Sequence, residues 1–375
     1  MIVHAFLRWV ETARAADRAK AASVLARAYA RARIAVEDRR AAEMAMIFLL
    51  DDPAPKVRLA LAEALAECGD APRAVILPLA EDQPEIAAHI ILCSSLLTDT
   101  DLVDLAARGS DVTRMLVANR VYVSRPVCAA LAEIGEVPDV LALLENEGAV
   151  LSRRSLARIA DRLGHDADIR ARLLDREDLP SDARHALVEK VGTALAGFGL
   201  IQAAVGTSRV ERITREACDI ATIGMVAEVT SAEMPALIEH LRLTARLTPV
   251  FLMHALCTGR VEFFAAAITN LSGQAERRVR SILSDGREAA VRALYEAAGL
   301  GRDISVLFSE ATMLWRCEAK GGDGLLSVSE RLLSSARAAG NTSCQSMLEL
   351  VERLAIAEQR QTARSYAVIA TREAA

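Results

Sequence analysis

An all-α fold is the prediction of three features of this 375-residue chain. Alanine makes up roughly a fifth of it, aromatic residues only 3%, and apolar residues recur at three- and four-residue spacing from end to end. Alanine gives up no side-chain entropy in a helix, whereas strands draw on aromatic and β-branched residues. An all-β architecture is excluded on composition. At roughly 150 residues per domain the length suggests two domains or one long repetitive one, and 52% hydrophobic residues suffice for a core.

Residues 5–33 and 38–49 read as two amphipathic helices, a first pair or an N-terminal cap. Asp51, Asp52 and Pro53 then precede a helix whose face carries Val57, Leu61, Ala64 and Leu65. An acid and a proline at a first turn satisfy, or dispense with, backbone donors that have no helical partner. The same local phrase recurs. Leu50 leads through Pro53 to Val57, Leu79 through Pro84 to Ile86, Leu105 through Gly109 to Val112, and Leu144 through Gly148 to Leu151; a weaker copy starts at Leu174. Successive copies begin about 26 to 39 residues apart, close to one helix–turn–helix unit of a HEAT or armadillo array. One helix pair cannot bury its apolar stripe alone, but stacked pairs share a continuous core.

The expected architecture is therefore a HEAT/armadillo-like helical-repeat solenoid over residues 1–205 and a more irregular C-terminal helical domain over 206–375. In the second half, residues 211–229, 234–246, 248–257, 260–270, 274–283 and 287–298 read as helices separated by short breakers. Residues 320–324 read as a linker, and 342–369 as a long final helix with Met347, Leu350, Leu354 and Ile356 on its apolar side. Val121-Tyr122-Val123 has an extended look and reads as loop.

Forty-five Lys plus Arg against 50 Asp plus Glu give a net charge of -5, which argues against a wholesale polyanion binder and confines any nucleic-acid contact to a local patch. Seven scattered cysteines without a CxxC pair resemble neither a disulfide framework nor a zinc knuckle, so a reducing, cytoplasmic setting is expected. The opening residues lack the pattern of a secretory signal, and the Arg- and Ala-rich stretch 8–33 is too poor in Ser for a transit peptide. Residues 191–208 carry no charge, yet their glycines, Gln202 and hydroxyl residues dilute the apolar signal; a buried helix or an interdomain connection is expected there, not a membrane span.

No reactive constellation stands out, and no enzymatic role, cofactor or metal is expected. His89 with Cys93 and His254 with Cys257 share helix faces, but each pair supplies too few ligands for zinc and reads as packed interface. Asp99, Asp101 and Asp104 begin like a calcium loop, yet the glycine and the terminal glutamate are missing, so helix capping explains them better. The glycines at 197, 199 and 206 and the 320–324 segment fit no phosphate loop.

Arginine is the feature with positive content, since Lys occurs only at Lys20, Lys56, Lys190 and Lys320, and guanidinium groups suit carboxylate and phosphate recognition. The repeat places Arg58, His89, Arg114 and Arg154 one to three positions after the anchors Val57, Ile86, Val112 and Leu151. Stacked second helices would align these four as a partner-binding ladder. Arg14, Arg18, Arg27 and Arg31 form a stripe on the first helix that reads as a solvated face. The expected function is a non-enzymatic scaffold that binds a protein partner or itself; nucleic-acid binding along the Arg-lined surface is the alternative.

Several phrases also resemble a known family. They are Phe6-Leu7-Arg8-Trp9-Val10-Glu11-Thr12-Ala13, Leu50-Asp51-Asp52-Pro53 running on to Leu65, and Leu96-Leu97-Thr98-Asp99-Thr100-Asp101-Leu102. Further on come Arg246-Leu247-Thr248-Pro249, His254-Ala255-Leu256-Cys257, Phe263-Phe264-Ala265-Ala266 and Leu294-Tyr295-Glu296-Ala297-Ala298-Gly299-Leu300. Together they resemble a bacterial family of uncharacterised HEAT-like helical proteins, domain of unknown function 2336, over nearly the whole chain. The resemblance implies a helical-repeat fold and a bacterial cytoplasmic setting; it brings no activity and no catalytic residues.

Overall fold

A computed structural model describes residues 8–31, 36–319, 327–338 and 345–373. The expected linker at 320–324 and Cys344 lie outside the described residues. Among those described the chain is all helix and turn, with a single isolated bridge between Val123 and Ala149. Two compact units divide at Lys190/Val191, whereas the sequence pattern suggested a division at 205/206.

The first unit holds α1 (Ala15–Ala30), α2 (Val36–Leu50), α3 (Pro55–Leu65), α4 (Arg73–Ala80), α5 (Pro84–Cys93) and α6 (Asp99–Arg108). It continues through α7 (Asp111–Ala118), α8 (Arg125–Ile134), α9 (Val137–Glu145), α10 (Arg153–Leu163), α11 (Ala167–Leu174) and most of α12 (Ser181–Ala196). Helices pack on the helix two places further on: α1 on α3, α3 on α5, α5 on α7, α7 on α9 and α9 on α11 in one file, α2 on α4, then α6 on α8 and α8 on α10 in the other. Val57, Leu61 and Leu65 on α3, Ile76 and Leu79 on α4, and Ile86 and Ile90 on α5 are completely or almost completely buried between them. The first predicted helix is interrupted: residues 8–12 are helical, and α1 begins after a break at Ala13 and Arg14.

Starts of helices follow local chemistry. Prolines occupy the first turns of α3, α5, α8 and α9, where the missing N–H is no loss. Thr98 and Asp101 form a reciprocal capping box on α6, so the aspartates there do cap a helix. Ser110, Ser152 and Asp166 accept backbone N–H groups at the starts of α7, α10 and α11. At α3 the detail differs from expectation: the helix starts at Pro55 with Ala54 as its cap residue, and Asp52 instead accepts the Ala54 N–H and the Arg18 guanidinium.

The second unit contains the end of α12, α13 (Gly199–Val205), α14 (Thr207–Val226), α15 (Met234–Leu243), α16 (Pro249–Cys257), α17 (Val261–Ser272) and α18 (Glu276–Asp285). The rest is α19 (Glu288–Ala297), α20 (Arg302–Ala319), α21 (Val328–Ala338) and α22 (Gln345–Glu373). Its centre is α16, on which every residue from Phe251 to Cys257 is buried, the signature of a helix apolar all round. It touches α14, α17, α20 and α22. Its Phe251 meets Phe263 with ring centroids 5.8 Å apart, and Phe264, Tyr295 and Phe308 form a trio at 5.5 to 6.0 Å. The final helix turns Met347, Val351 and Ala355 inward, while Ile356, expected on the apolar side, is exposed.

Candidate interaction surface

The four ladder residues do not line up. Arg58, His89 and Arg114 belong to α3, α5 and α7, three members of one file, but Arg154 belongs to α10 in the other. The recurring phrase changes file because an additional helix, α8, intervenes between its third and fourth copies. The anchors diverge accordingly. Val57 and Ile86 are fully buried, Leu151 is half-buried, and Val112 is 45% exposed.

Two of the four cations are consumed inside the fold. Arg58 donates from Nε and one Nη to both carboxylate oxygens of Asp82, at 2.5 and 3.0 Å, and from the other Nη to the Asp52 carbonyl. Arg114 donates to Asp139 at 2.8 Å and to the Gly109 carbonyl at 3.3 Å. Arg18, drawn from the N-terminal stripe, repeats this pattern with Asp52 and the Ala13 carbonyl; Arg14, Arg27 and Arg31 are exposed. Hydrogen bonding from Arg18, the largest influence on it, holds the Asp52 carboxyl below the usual range. His89 is half-buried and Arg154 is exposed.

A second set of arginines, missed by sequence reasoning, caps helix C-termini. The last carbonyls of a helix have no intrahelical donor, and a guanidinium from further along the chain supplies one. Arg120 reaches the carbonyls of Ile91 and Ser94 at the end of α5. Arg162 donates to Ala132 and Gly135 at the end of α8, at 2.7 and 3.2 Å. Arg316 does the same for Ile282, Leu283 and Gly286 at the end of α18. Asn146 plays this part for the carbonyls of Ala118 and Arg120 after α7. The arginine richness of the chain thus has a structural use.

The other candidates resolve into packing. Burial pushes the Cys257 thiol up to about 12 and the Cys128 thiol up to about 11, which keeps both protonated and suppresses thiolate ligation and nucleophilicity at neutral pH, and it pushes the His254 imidazole down to about 4, which keeps that ring uncharged. Among the described residues, no group of three or more His, Cys, Asp or Glu is placed to hold a metal ion. Two clefts of about 280 Å³ each share the Glu262–Arg280 ion pair in their walls. Arg280 is also held by Glu276 at 2.9 Å.

What the first unit does present is apolar surface. After α7 the chain is pinned by backbone hydrogen bonds between Val123 and Gly148 and between Val150 and Val123, at 3.1 and 2.9 Å. A Cβ at Gly148 would come within 1.8 Å of the Val121 carbonyl oxygen, so only glycine permits this approach. The pinned loop holds Val121 and Tyr122 out at 89% and 63% exposure, and the preceding helix α7 carries exposed Val112 and Met115. Exposed Arg154 follows shortly after Val150, on the first turn of α10. Sequence reasoning registered residues 121–123 only as an extended-looking loop.

Files of stacked helices pinned by arginine, with Val121 and Tyr122 exposed on a braced loop, define an all-α protein. Residues 86–349 match the model of a family described as an uncharacterised protein conserved in bacteria, domain of unknown function 2336, and the chain belongs to that family. No curated protein and no solved structure matches it. No helix among the described residues is long and apolar enough to cross a membrane.

Proposed function

We propose that this protein is a non-enzymatic, HEAT-like helical-repeat scaffold working in the bacterial cytoplasm, which binds a protein partner through the outer side of α7 and the loop after it. The observation that carries this reading is the pair Val121 and Tyr122, both strongly exposed on a loop braced at two backbone positions. A loop whose backbone is already fixed has less backbone entropy to lose on binding, and aromatic and Arg residues dominate interface energetics. Arg154 stays in the proposal as an edge contact; Arg58 and Arg114 act as internal pins, and His89 is half-buried. Nucleic-acid binding has less support for the same reason, because two of the three arginines it needs are already neutralised by Asp82 and Asp139.

The test is affinity retention from native extract by the full chain and by a Val121→Ser/Tyr122→Ala double variant. Both side chains are exposed, so the variant is expected to keep its helical spectrum and thermal midpoint. A specific protein retained at stoichiometric level by the parent and lost by more than tenfold in the variant supports the reading. Equal retention by both overturns it.

A further inference from the structure

The uncharged segment 191–208 is expected to be a buried helix or an interdomain connection; it begins where the second unit begins, and several of its large apolar side chains are exposed. In the second unit Leu195 and Phe198 are about half exposed or more, and Leu200 is 87% exposed, at the turn from α12 into α13. Helix α13 packs against α14, whose first turns carry Arg209, Arg212 and Arg215, all exposed. At about 100° per residue, Arg209, Arg212, Ile213 and Ile220 fall on one side of α14, and Glu211 points well away from Arg209. Ile213 and Ile220 are exposed as well. Glu216, the acid on that side, is taken by Arg353 at 2.5 Å, and Asp219 is half-buried. One stretch of chain therefore combines a protruding apolar tip with a helix face of arginine and isoleucine.

We infer that this surface, Phe198 and Leu200 with Arg209, Arg212, Ile213 and Ile220, docks the protein onto an anionic lipid bilayer without spanning it. A side chain as exposed as Leu200 has no surrounding wall of its own, so it suits a fluid phase that closes around it. Arginines flanking exposed Phe, Leu and Ile are the composition of an interfacial element, in which apolar side chains enter the acyl boundary and the cations meet lipid phosphates. Neither signal suffices alone, because stable attachment to a membrane surface requires insertion and charge together. The sign of the charge commits the surface to anionic lipid. The absence of a crossing helix among the described residues accords with peripheral attachment.

The experiment is co-sedimentation of the full chain with two kinds of vesicle, phosphatidylcholine alone and an equal mixture of phosphatidylcholine and phosphatidylglycerol, at low and high salt. Two double variants accompany it, Phe198→Ser/Leu200→Ser and Arg209→Gln/Arg212→Gln, with circular dichroism to verify their folding. The expected result is binding to the mixed vesicles only, weakened by salt. Removing each arginine should weaken it about fivefold, the equivalent of about 1 kcal/mol per basic residue near an anionic surface, and the serine variant should weaken it at least as much. Failure to bind mixed vesicles, equal binding to both kinds, or binding untouched by either variant would overturn the inference. So would a dimer mass in sedimentation equilibrium that the Phe198→Ser/Leu200→Ser variant reduces to that of a monomer.

Discussion

His254 sits on a helix whose every residue from Phe251 onward is buried, and an imidazolium there would lose its hydration without gaining an acidic partner. Burial accordingly lowers its pKa to about 4, against about 6.5 in the unfolded chain. Between those values the unfolded state binds a proton that the folded state refuses. Stability from this residue is therefore complete above about pH 6.5 and declines as pH falls toward 4, by at most about 1.4 kcal/mol per unit. A His254→Leu variant should show a flatter decline over that window, by up to about 3 kcal/mol in total, when urea midpoints at pH 7.5 and 4.5 are compared with the parent. Superimposable pH profiles would mean that the site admits the charged form. The residue type and its three-residue spacing from Cys257 were visible in the sequence, and packing was the expected reading. Its environment was not visible, because the burial of α16 needs α20 and α22, elements distant along the chain, as well as the nearer α14 and α17.

At the scale of elements, the helices were legible because their information is local. Proline first turns, the Thr98–Asp101 box and the three-and-four apolar spacing each lie within a few residues. The repeat phrase was partly legible. It marked true junctions at Leu50, Leu79 and Leu144, each in the last turn of a helix, but it counted the short α8 out and so slipped from one file of helices to the other. A one-dimensional match detects the turn between two helices, which is alike in both files, and not which file comes next. The arginine pins were illegible for a related reason: Arg162 and its acceptors Ala132 and Gly135 are separated by an intervening helix and mean nothing until the packing is known. Their energetic weight can be tested. Arg162→Met should destabilise the first unit by about 2 kcal/mol, the cost of leaving partly buried helix-end carbonyls without a donor. Arg162→Lys should recover little of it, because one ammonium cannot reproduce a planar fork spanning two carbonyls. Chemical denaturation of the three proteins measures this, and full recovery by lysine would show that charge near the helix end is enough.

For the molecule as a whole, the two units differ in how they bury surface. In the first, helices share their apolar sides with the helix two places on, and the buried residues form two clusters, one from Val10 to Leu143 and one from Ala132 to Leu187, with half-buried Leu151 packed against both. In the second, helices gather round α16 and the aromatic group of Phe251, Phe263, Phe264, Tyr295 and Phe308. Each buried cluster is drawn from one unit, so each unit has what independent folding requires. The division at Lys190/Val191 lies within α12, and Leu187, fully buried in the first unit's core, stands only one turn from it. A cut there would fray the turn that carries Leu187, whereas a cut at Gly197, just past the end of α12, leaves the helix whole. A fragment of residues 1–197 should therefore remain strongly helical and unfold in a cooperative thermal transition. A fragment ending at Lys190 should melt several degrees lower, because it loses the last turns of α12 that hold Leu187 in place and leaves Lys190, whose Nζ reaches the Asp161 carbonyl at 2.6 Å, on a fraying chain end. Circular dichroism melts of the two fragments decide the point. A longer fragment that binds hydrophobic dye and shows no cooperative transition would mean that the stacked helices need the second unit to fold, and that the internal sharing of apolar surface is insufficient by itself.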